Sequence, residues 1–397
     1  MTSSTASTKA QRCWKTLFTA KFPSIRLPIV GPPMIGVSGG HWAAAVQQAG
    51  GMGFIAAGHN SLENQDALAR EIGLYGQSYY GNDNISEKKN DDEHEQQRQQ
   101  QQRPFFLGLG FIGHSATTSR LDAWKRYEQV LDEYRPHMVQ FFAPAITRHP
   151  HDPQKTNISL ARDYGAQVMV QVGDVTSGKE ALQHGVDCLV AQGAESGGHG
   201  LRPPLGRALI PLLTDLKAMT TVNSCDPYTG IPVLAAGGIT TGAMAAAALC
   251  AGADGVVLGT RLWASHEALG HDTYKQALVE TMSCDDVIRT TVVDQIQNHY
   301  VTDPWPEPYD SLGVLQNQVT ARWEGKPVEL ANALGSLHCP SLRYRQASQE
   351  GDVHRGAVLS GQGVGRIQSI DKVMDIISRV EEEMIDSIQR LSGILNE

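Results

Sequence analysis

A histidine carried on a run of glycines is the first feature of this sequence with chemistry in it. In VAQGAESGGHG (190–200) an apolar run ends at Gln192-Gly193, and Gly197, Gly198 and Gly200 leave the backbone around His199 bare on both sides. Histidine titrates near ~6.5 in water, which suits a general base at neutral pH, and this one sits on a flexible loop, so it is read as catalytic. Glu195 either orients it or is solvated, and the solvated reading is preferred. In IPVLAAGGITTGAMAAAALCAGADGVVLGTRL (231–262) one apolar run ends in Gly237-Gly238 and the next in Gly259-Thr260. Paired strand ends of this kind present unhindered N–H groups, with a helix start beside them, and so predict a site for a phosphate-bearing ligand. The alternative is that the glycines only make tight turns. Amides supply the third signal. Gln140, Gln171 and Gln192 each interrupt an apolar run, and a buried amide needs partners. Three of them at one mouth would suit a heterocycle with alternating donors and acceptors. Pro33, Met34 and Gly36, at the end of the first apolar run, would offer backbone to such a flat ligand.

The elements that must position these residues follow from the apolar runs. Eight recur, at 29–34, 53–58, 105–110, 138–143, 167–174, 188–193, 231–238 and 255–260. They are continuous rather than alternating, which marks strands buried on both faces of a parallel sheet. Between them lie Ala-rich helical stretches ending in Gly, such as 41–50, 176–185 and 241–252. Eight strands alternating with helices predict a (β/α)8 TIM barrel, in which the glycine turns become the loops after strands seven and eight and His199 follows strand six. A doubly wound open sheet would alternate as well. The length alone, 397 residues, suggests two to three domains, but the pattern favours one barrel over 14–265. Residues 1–13 read as a flexible tail, and the polar, Gln-rich stretch 82–103 as a disordered insertion. Residues 266–397 read as a mostly helical region packing on the barrel. Its last helix is expected over 371–395, with Val373, Ile376, Ile377, Val380, Met384, Ile388, Leu391 and Leu395 inward and Glu381 to Glu383 on the wet side. TDPWPEPY (302–309) reads as a rigid connection covering the mouth as a lid.

Composition narrows the partners. With 33 Lys plus Arg against 42 Asp plus Glu, the net charge is −9, so no global positive field exists to hold a phosphate backbone and nucleic acid is not expected. No apolar run approaches the ~18 residues a membrane span needs. Six cysteines without a C-x-x-C pair suggest free thiols in a reducing, cytoplasmic setting. The opening MTSSTASTKAQR is Ser/Thr-rich and basic, so an organellar address is the less favoured alternative. HPHD (149–152) is a Pro-containing loop and is not read as a metal site.

Three segments together, PIVGPPMIGVSGGHWAAAVQQAGGMGFIAAG, AQGAESGGHG and PVLAAGGITTGAMAAAALCAGADGVVLGTRL, resemble the nitronate monooxygenase family, formerly called 2-nitropropane dioxygenases. The resemblance covers roughly 14–265 outside the insertion, with a weaker echo at SGQGVGRI (360–367). It implies an FMN-dependent TIM barrel that oxidises alkyl nitronates, and in some members neutral nitroalkanes, to carbonyl compounds and nitrite with O2. Carried over by position, it implies flavin-ring contacts from Pro33, Met34 and Gly36 and strand-end contacts from Gln171, Gln192 and Gly193. Gly198 and His199 match the family's GGH, with His199 as base. Gly237, Gly238, Gly259 and Thr260 match the FMN phosphate cradle, and Gln362 with Gly363 approaches from the C-terminal side. Two positions depart from the pattern: Ser196 stands where Ala is usual, and Gly31-Pro32 replaces Gln-Ala.

The leading expectation is therefore an FMN oxidoreductase acting on a nitronate or nitroalkane and O2, with His199 as base and no metal. The main alternative is an FMN-dependent NAD(P)H reductase of quinones or enoyl thioesters, and a non-flavin sugar-phosphate isomerase or aldolase ranks third. A homodimer is the assembly to look for.

Overall fold

A computed structural model describes residues 14–57, 65–80, 106–116, 121–221, 229–301, 303–336 and 339–394. The expected tail 1–13 and insertion 82–103 lie outside the described residues. The described residues form thirteen strands: β1 (Ile29–Gly31), β2 (Met52–Ala56), β3 (Gly108–Ile112), β4 (Met138–Phe142), β5 (Arg148–His149), β6 (Asp152–Thr156), β7 (Gln167–Val172), β8 (Cys188–Gln192), β9 (Gly198–Gly200), β10 (Val233–Ala236), β11 (Gly255–Val257), β12 (Val287–Thr290) and β13 (Ser311–Leu315). Eight of them close a barrel in the order β1-β11-β10-β8-β7-β4-β3-β2. Every pairing in it is parallel, and Val30 faces both Met52 and Val257 where the ring shuts. This is a (β/α)8 TIM barrel, and its eight strands are the eight apolar runs.

The continuous apolar character of the runs is explained by burial on two sides. Val30, Met52, Phe54, Met138, Met169, Val190 and Leu234 fill the interior, where Phe18, Phe22 and Ile25 of the leading segment join them. Ile29, Ile55, Val139, Val168, Leu189, Val233 and Val256 face the helices instead. Helix starts follow capping chemistry: the Asp174 carboxylate accepts from Ser177 N–H at 2.9 Å before Val175–Gln183, and Thr241 Oγ1 caps Gly242–Cys250.

The region after the barrel holds two strands besides its helices. β12 and β13 pair antiparallel, and β13 pairs in turn with β9, setting Leu312 opposite His199. His199 therefore stands in a sheet strand rather than on a flexible loop: a Cβ on Gly197 would meet the Ser360 backbone at 2.6 Å and one on Gly200 the Arg289 guanidinium at 2.8 Å, while Gly198 has a φ of +67°. Val292, Val293, Ile296, Leu312, Val314, Leu330, Leu334 and Tyr344 make a separate small core beneath this sheet.

The final helix, Val373–Ile394, buries Val373, Ile376, Ile377, Val380 and Met384, while Ile388 and Leu391 are exposed and Leu395 lies outside the described residues. Glu381 and Glu383 do not face water as expected. Glu381 accepts from Arg26 at 2.9 Å and from Trp14 Nε1 at 3.1 Å, and Glu383 accepts from Gly242 N–H at 2.6 Å. Each carboxylate meets a donor that the approach of this helix would otherwise bury unpaired. No helix among the described residues is long and apolar enough to cross a membrane.

Candidate functional site

The carboxyl ends of the barrel strands and the added sheet enclose a cavity of about 700 Å³, within the ~300–1,000 Å³ common for small-molecule sites. Its walls include Pro33, Met34, Gln171, Gln192, Gly198, His199, Gly237, Gly238, Gly259 and Thr260. Of the residues expected to act as base or to bind the cofactor, Gly36, Gly193 and Gln362 do not line it. Gly36 is exposed on the turn after Met34. Gly193 is spent on the scaffold, its N–H donating to Ala236 O at 2.8 Å. Gln362 is exposed, its N–H donating to Glu195 O at 2.9 Å, while its neighbours Gly361 and Gly363 form the wall.

At the barrel axis the amides gather as the sequence suggested. Gln140 Nε2 donates to Gln171 Oε1 at 3.4 Å, and Gln192 Nε2 donates to the His199 carbonyl at 2.8 Å. That leaves Gln140 Oε1 and Gln192 Oε1 buried with no donor among the described residues. An unmet buried acceptor costs ~1–3 kcal/mol, so two of them on one cavity wall imply a ligand that donates. Trp263 Nε1, also buried on this wall, has no acceptor among the described residues, and the sequence had given no reason to single it out.

The glycine turns close the opposite side. Gly237 and Gly238 have φ of +127° and +66°, a backbone that only glycine adopts freely. Among the described residues no backbone acceptor meets the N–H of Gly237, Gly238, Gly259 or Thr260. Segment 359–363 seals this corner: Gly361 N–H donates to Thr260 Oγ1 at 3.0 Å and Thr240 Oγ1 donates to Gly363 O at 2.8 Å. A planar heterocycle with N–H and C=O edges and a phosphate tail, the outline of a flavin nucleotide, fits this donor and acceptor set.

His199 lies at the rim. Its Nε2 is 3.1 Å from both carboxylate oxygens of Asp294, which is 1% exposed and sits on the short helix Val292–Gln297. A carboxylate only accepts, so in the neutral ring Nε2 carries the hydrogen and Nδ1 is left with the lone pair. Asp294 takes the orienting role considered for Glu195. Glu195 instead accepts from Leu209 N–H at 3.1 Å, at the start of helix Leu209–Thr220. Asp294 escaped sequence reading; its one signal is that VVDQI sets a carboxylate beside three apolar residues.

Trp305, from the proline-rich segment read as a lid, stacks on His199 with ring centroids 3.5 Å apart and planes 13° from parallel. Phe142 and His114 meet the same indole at 6.3 and 4.9 Å. Arg202 ties the segment down through Asp310 at 3.0 Å and Glu307 at 3.0 Å. Beyond Trp305 the cavity becomes polar, with Gln297, Asn298, Tyr300 and Asp303 on its wall. Burial pushes the Tyr300 phenol up against the opposing charge of Arg345, which keeps it a neutral donor.

Comparison with known proteins agrees with this geometry. The nitronate monooxygenase family profile matches residues 16–383. A nitronate monooxygenase of Metarhizium robertsii, npaC, is 30% identical over 93% of this chain and 94% of its own, and one of Neurospora crassa is 26% identical over 95% and 94%. Among solved structures, a nitroalkane oxidase of Streptomyces ansochromogenes has the same fold, with a TM-score of 0.66 at 23% identity over 95% of this chain and all of that one. The family match runs from the first helix into the last and takes in barrel and added sheet together. The chain belongs to the nitronate monooxygenase family of flavin-dependent oxidoreductases.

Proposed function

We propose that this protein uses FMN to oxidise alkyl nitronates, and neutral nitroalkanes after removal of a proton, with O2 as acceptor, giving a carbonyl compound and nitrite. The observation that carries the reading is the His199–Asp294 pair at the rim of a cavity whose deeper wall holds two unmet amide oxygens. Bound flavin supplies the electron acceptor that protein side chains lack and passes those electrons to O2. The residues of the chain do the rest. Gln140, Gln171 and Gln192 would hold the polar edge of the ring, and Pro33 and Met34 would offer it backbone and side-chain contact. Gly237, Gly238, Gly259 and Thr260 hold one phosphate; a single such cradle favours FMN over a dinucleotide.

His199 Nδ1 takes the proton from the carbon next to the nitro group, and the C–H electron pair stays on the substrate as the C=N bond of the nitronate. Asp294 stabilises the imidazolium that results. Trp305, flat on the imidazole, fixes its plane and keeps water off that face. A substrate that arrives as the nitronate needs no proton removed and bypasses this step.

The discriminating experiment is His199→Asn assayed on both forms of one substrate. The variant is expected to retain FMN, shown by its absorbance and by the mass of the released flavin, and to lose ~10²–10⁴-fold in turnover of the neutral nitroalkane, with the preformed nitronate far less affected. Equal activity of variant and parent on the neutral form removes His199 from the mechanism.

A further inference from the structure

Behind the strand that carries His199 lies a half-buried cation without an acid among the described residues. Arg289, on β12, uses all five of its N–H groups. Nε donates to Ala194 O at 3.0 Å, Nη1 to Gly198 O at 3.3 Å and to Ser311 O at 3.1 Å, and Nη2 to Ser196 O at 2.6 Å and to Ser196 Oγ at 3.1 Å. No carboxylate pairs with it among the described residues, and burial pulls its guanidinium down to about 10 despite the nearby charge of Glu195. Desolvating an unpaired guanidinium is costly, so the arrangement needs a reason. Four of the five bonds end on residues 194–198, the segment that leads into His199, and the fifth on β13, the strand paired with it. Ser196, one of the two departures from the family pattern, supplies the only side-chain acceptor.

We propose that Arg289 is a positioning residue for proton removal: by gathering the carbonyls of Ala194, Ser196, Gly198 and Ser311 it fixes the backbone from which His199 reaches the substrate carbon. The inference rests on the reading of His199 as base. β12 leads directly into the helix bearing Asp294, so one segment outside the barrel sets the backbone through Arg289 and the ring through Asp294. A rigid planar fork suits four carbonyls arranged around one point; an ammonium, with three donors on a flexible stem, cannot span them.

The test uses flavin-loaded Arg289→Ala and Arg289→Lys, each mixed anaerobically with a neutral nitroalkane and, separately, with its preformed nitronate. Misplacing a reacting group by about 1 Å costs on the order of a hundredfold. Arg289→Ala is therefore expected to keep its flavin spectrum and lose about 10- to 100-fold in flavin reduction by the nitroalkane, with nitronate within about threefold of parent. Guanidinium at low millimolar concentration should recover part of the lost rate, whereas sodium at the same ionic strength should not. Arg289→Lys should fall between, and it carries the test alone if the alanine variant does not fold. Parent-like nitroalkane rates in the folded variants, or equal losses on both substrates, overturn the proposal. His199→Asn run alongside separates the two failures: if it loses nitroalkane activity and the Arg289 variants do not, only the positioning role is wrong, and if it does not, the base reading falls first.

Discussion

Asp294→Asn probes the electrostatic part of proton removal. The substitution keeps side-chain volume but removes the negative charge and replaces with an NH2 donor one of the two carboxylate oxygens, each now 3.1 Å from His199 Nε2. That charge matters when the ring becomes imidazolium. Two unit charges ~4 Å apart attract by about 4 kcal/mol at the effective dielectric of ~20 that describes protein sites. At about 1.4 kcal/mol per decade, full proton transfer would slow about a thousandfold, and a transition state halfway along would slow about thirtyfold. The expected loss in kcat/KM on a neutral nitroalkane therefore lies between about 30- and 1,000-fold, while a preformed nitronate, with no proton to give up, should stay within about threefold. Stopped-flow absorbance of the bound flavin under anaerobic conditions, with the two substrate forms in parallel, reads both numbers. A variant at parental rate on the nitroalkane, or one that loses equally on both forms, would show that Asp294 serves only the fold.

Two further substitutions probe the cradle and the anchor of the last helix. A Cβ on Gly363 would lie 2.2 Å from Gly238 O, so Gly363→Ala must push apart the two segments that form the proposed phosphate corner. Overpacking of ~1–3 kcal/mol predicts flavin binding weaker by about 5- to 100-fold, read by fluorescence titration of the apoprotein; an unchanged Kd would contradict the cradle. Asp371 accepts from Arg261 at 2.8 Å, Arg379 at 3.1 Å and Ser369 at 2.6 Å. Burial raises its carboxyl, but the hydrogen bonds from Ser369 and Arg379 and the two guanidinium charges outweigh that and leave it below the usual carboxylate range. A depressed acid stabilises the fold above its unfolded pKa and stops doing so as pH falls through the folded value. Asp371→Asn should therefore cost about 2 kcal/mol at pH 7, about 2–4 °C in melting temperature, and the gap should close below about pH 4. A gap that is the same at pH 7 and at about pH 3 refutes the ion-pair account.

The barrel was legible because strands buried on both faces need continuous apolar runs, and no local competitor obscured them. The glycine turn after β10 was legible because Gly237 and Gly238 adopt positive φ at a strand end, a local requirement written directly in residue type. What escaped depends on pairings distant along the chain. Asp294 sits 95 residues from the histidine it orients and Arg289 comparably far from the carbonyls of Ala194, Ser196 and Gly198, and in a short helix or a two-sided strand each looks like an ordinary solvated charge. For the same reason Glu381 and Glu383 read as the wet face of an amphipathic helix: their donors, Arg26 and the Gly242 N–H, belong to elements hundreds of residues earlier or to backbone. The nature of β9 was hidden because a glycine-rich segment has no strand propensity of its own and becomes a strand only when β13 lies beside it.

Anaerobic mixing of the flavin-loaded protein with an alkyl nitronate in one syringe series and with NADH or NADPH in another, followed by admission of air and assay of nitrite, tests the central claim most directly. The nitronate is expected to deplete the flavin's visible absorbance rapidly, the nicotinamides to do so slowly or not at all, and nitrite to appear once O2 is admitted. Rapid bleaching by NADH or NADPH with an inert response to nitronate would contradict that claim and assign the cavity to a reductase.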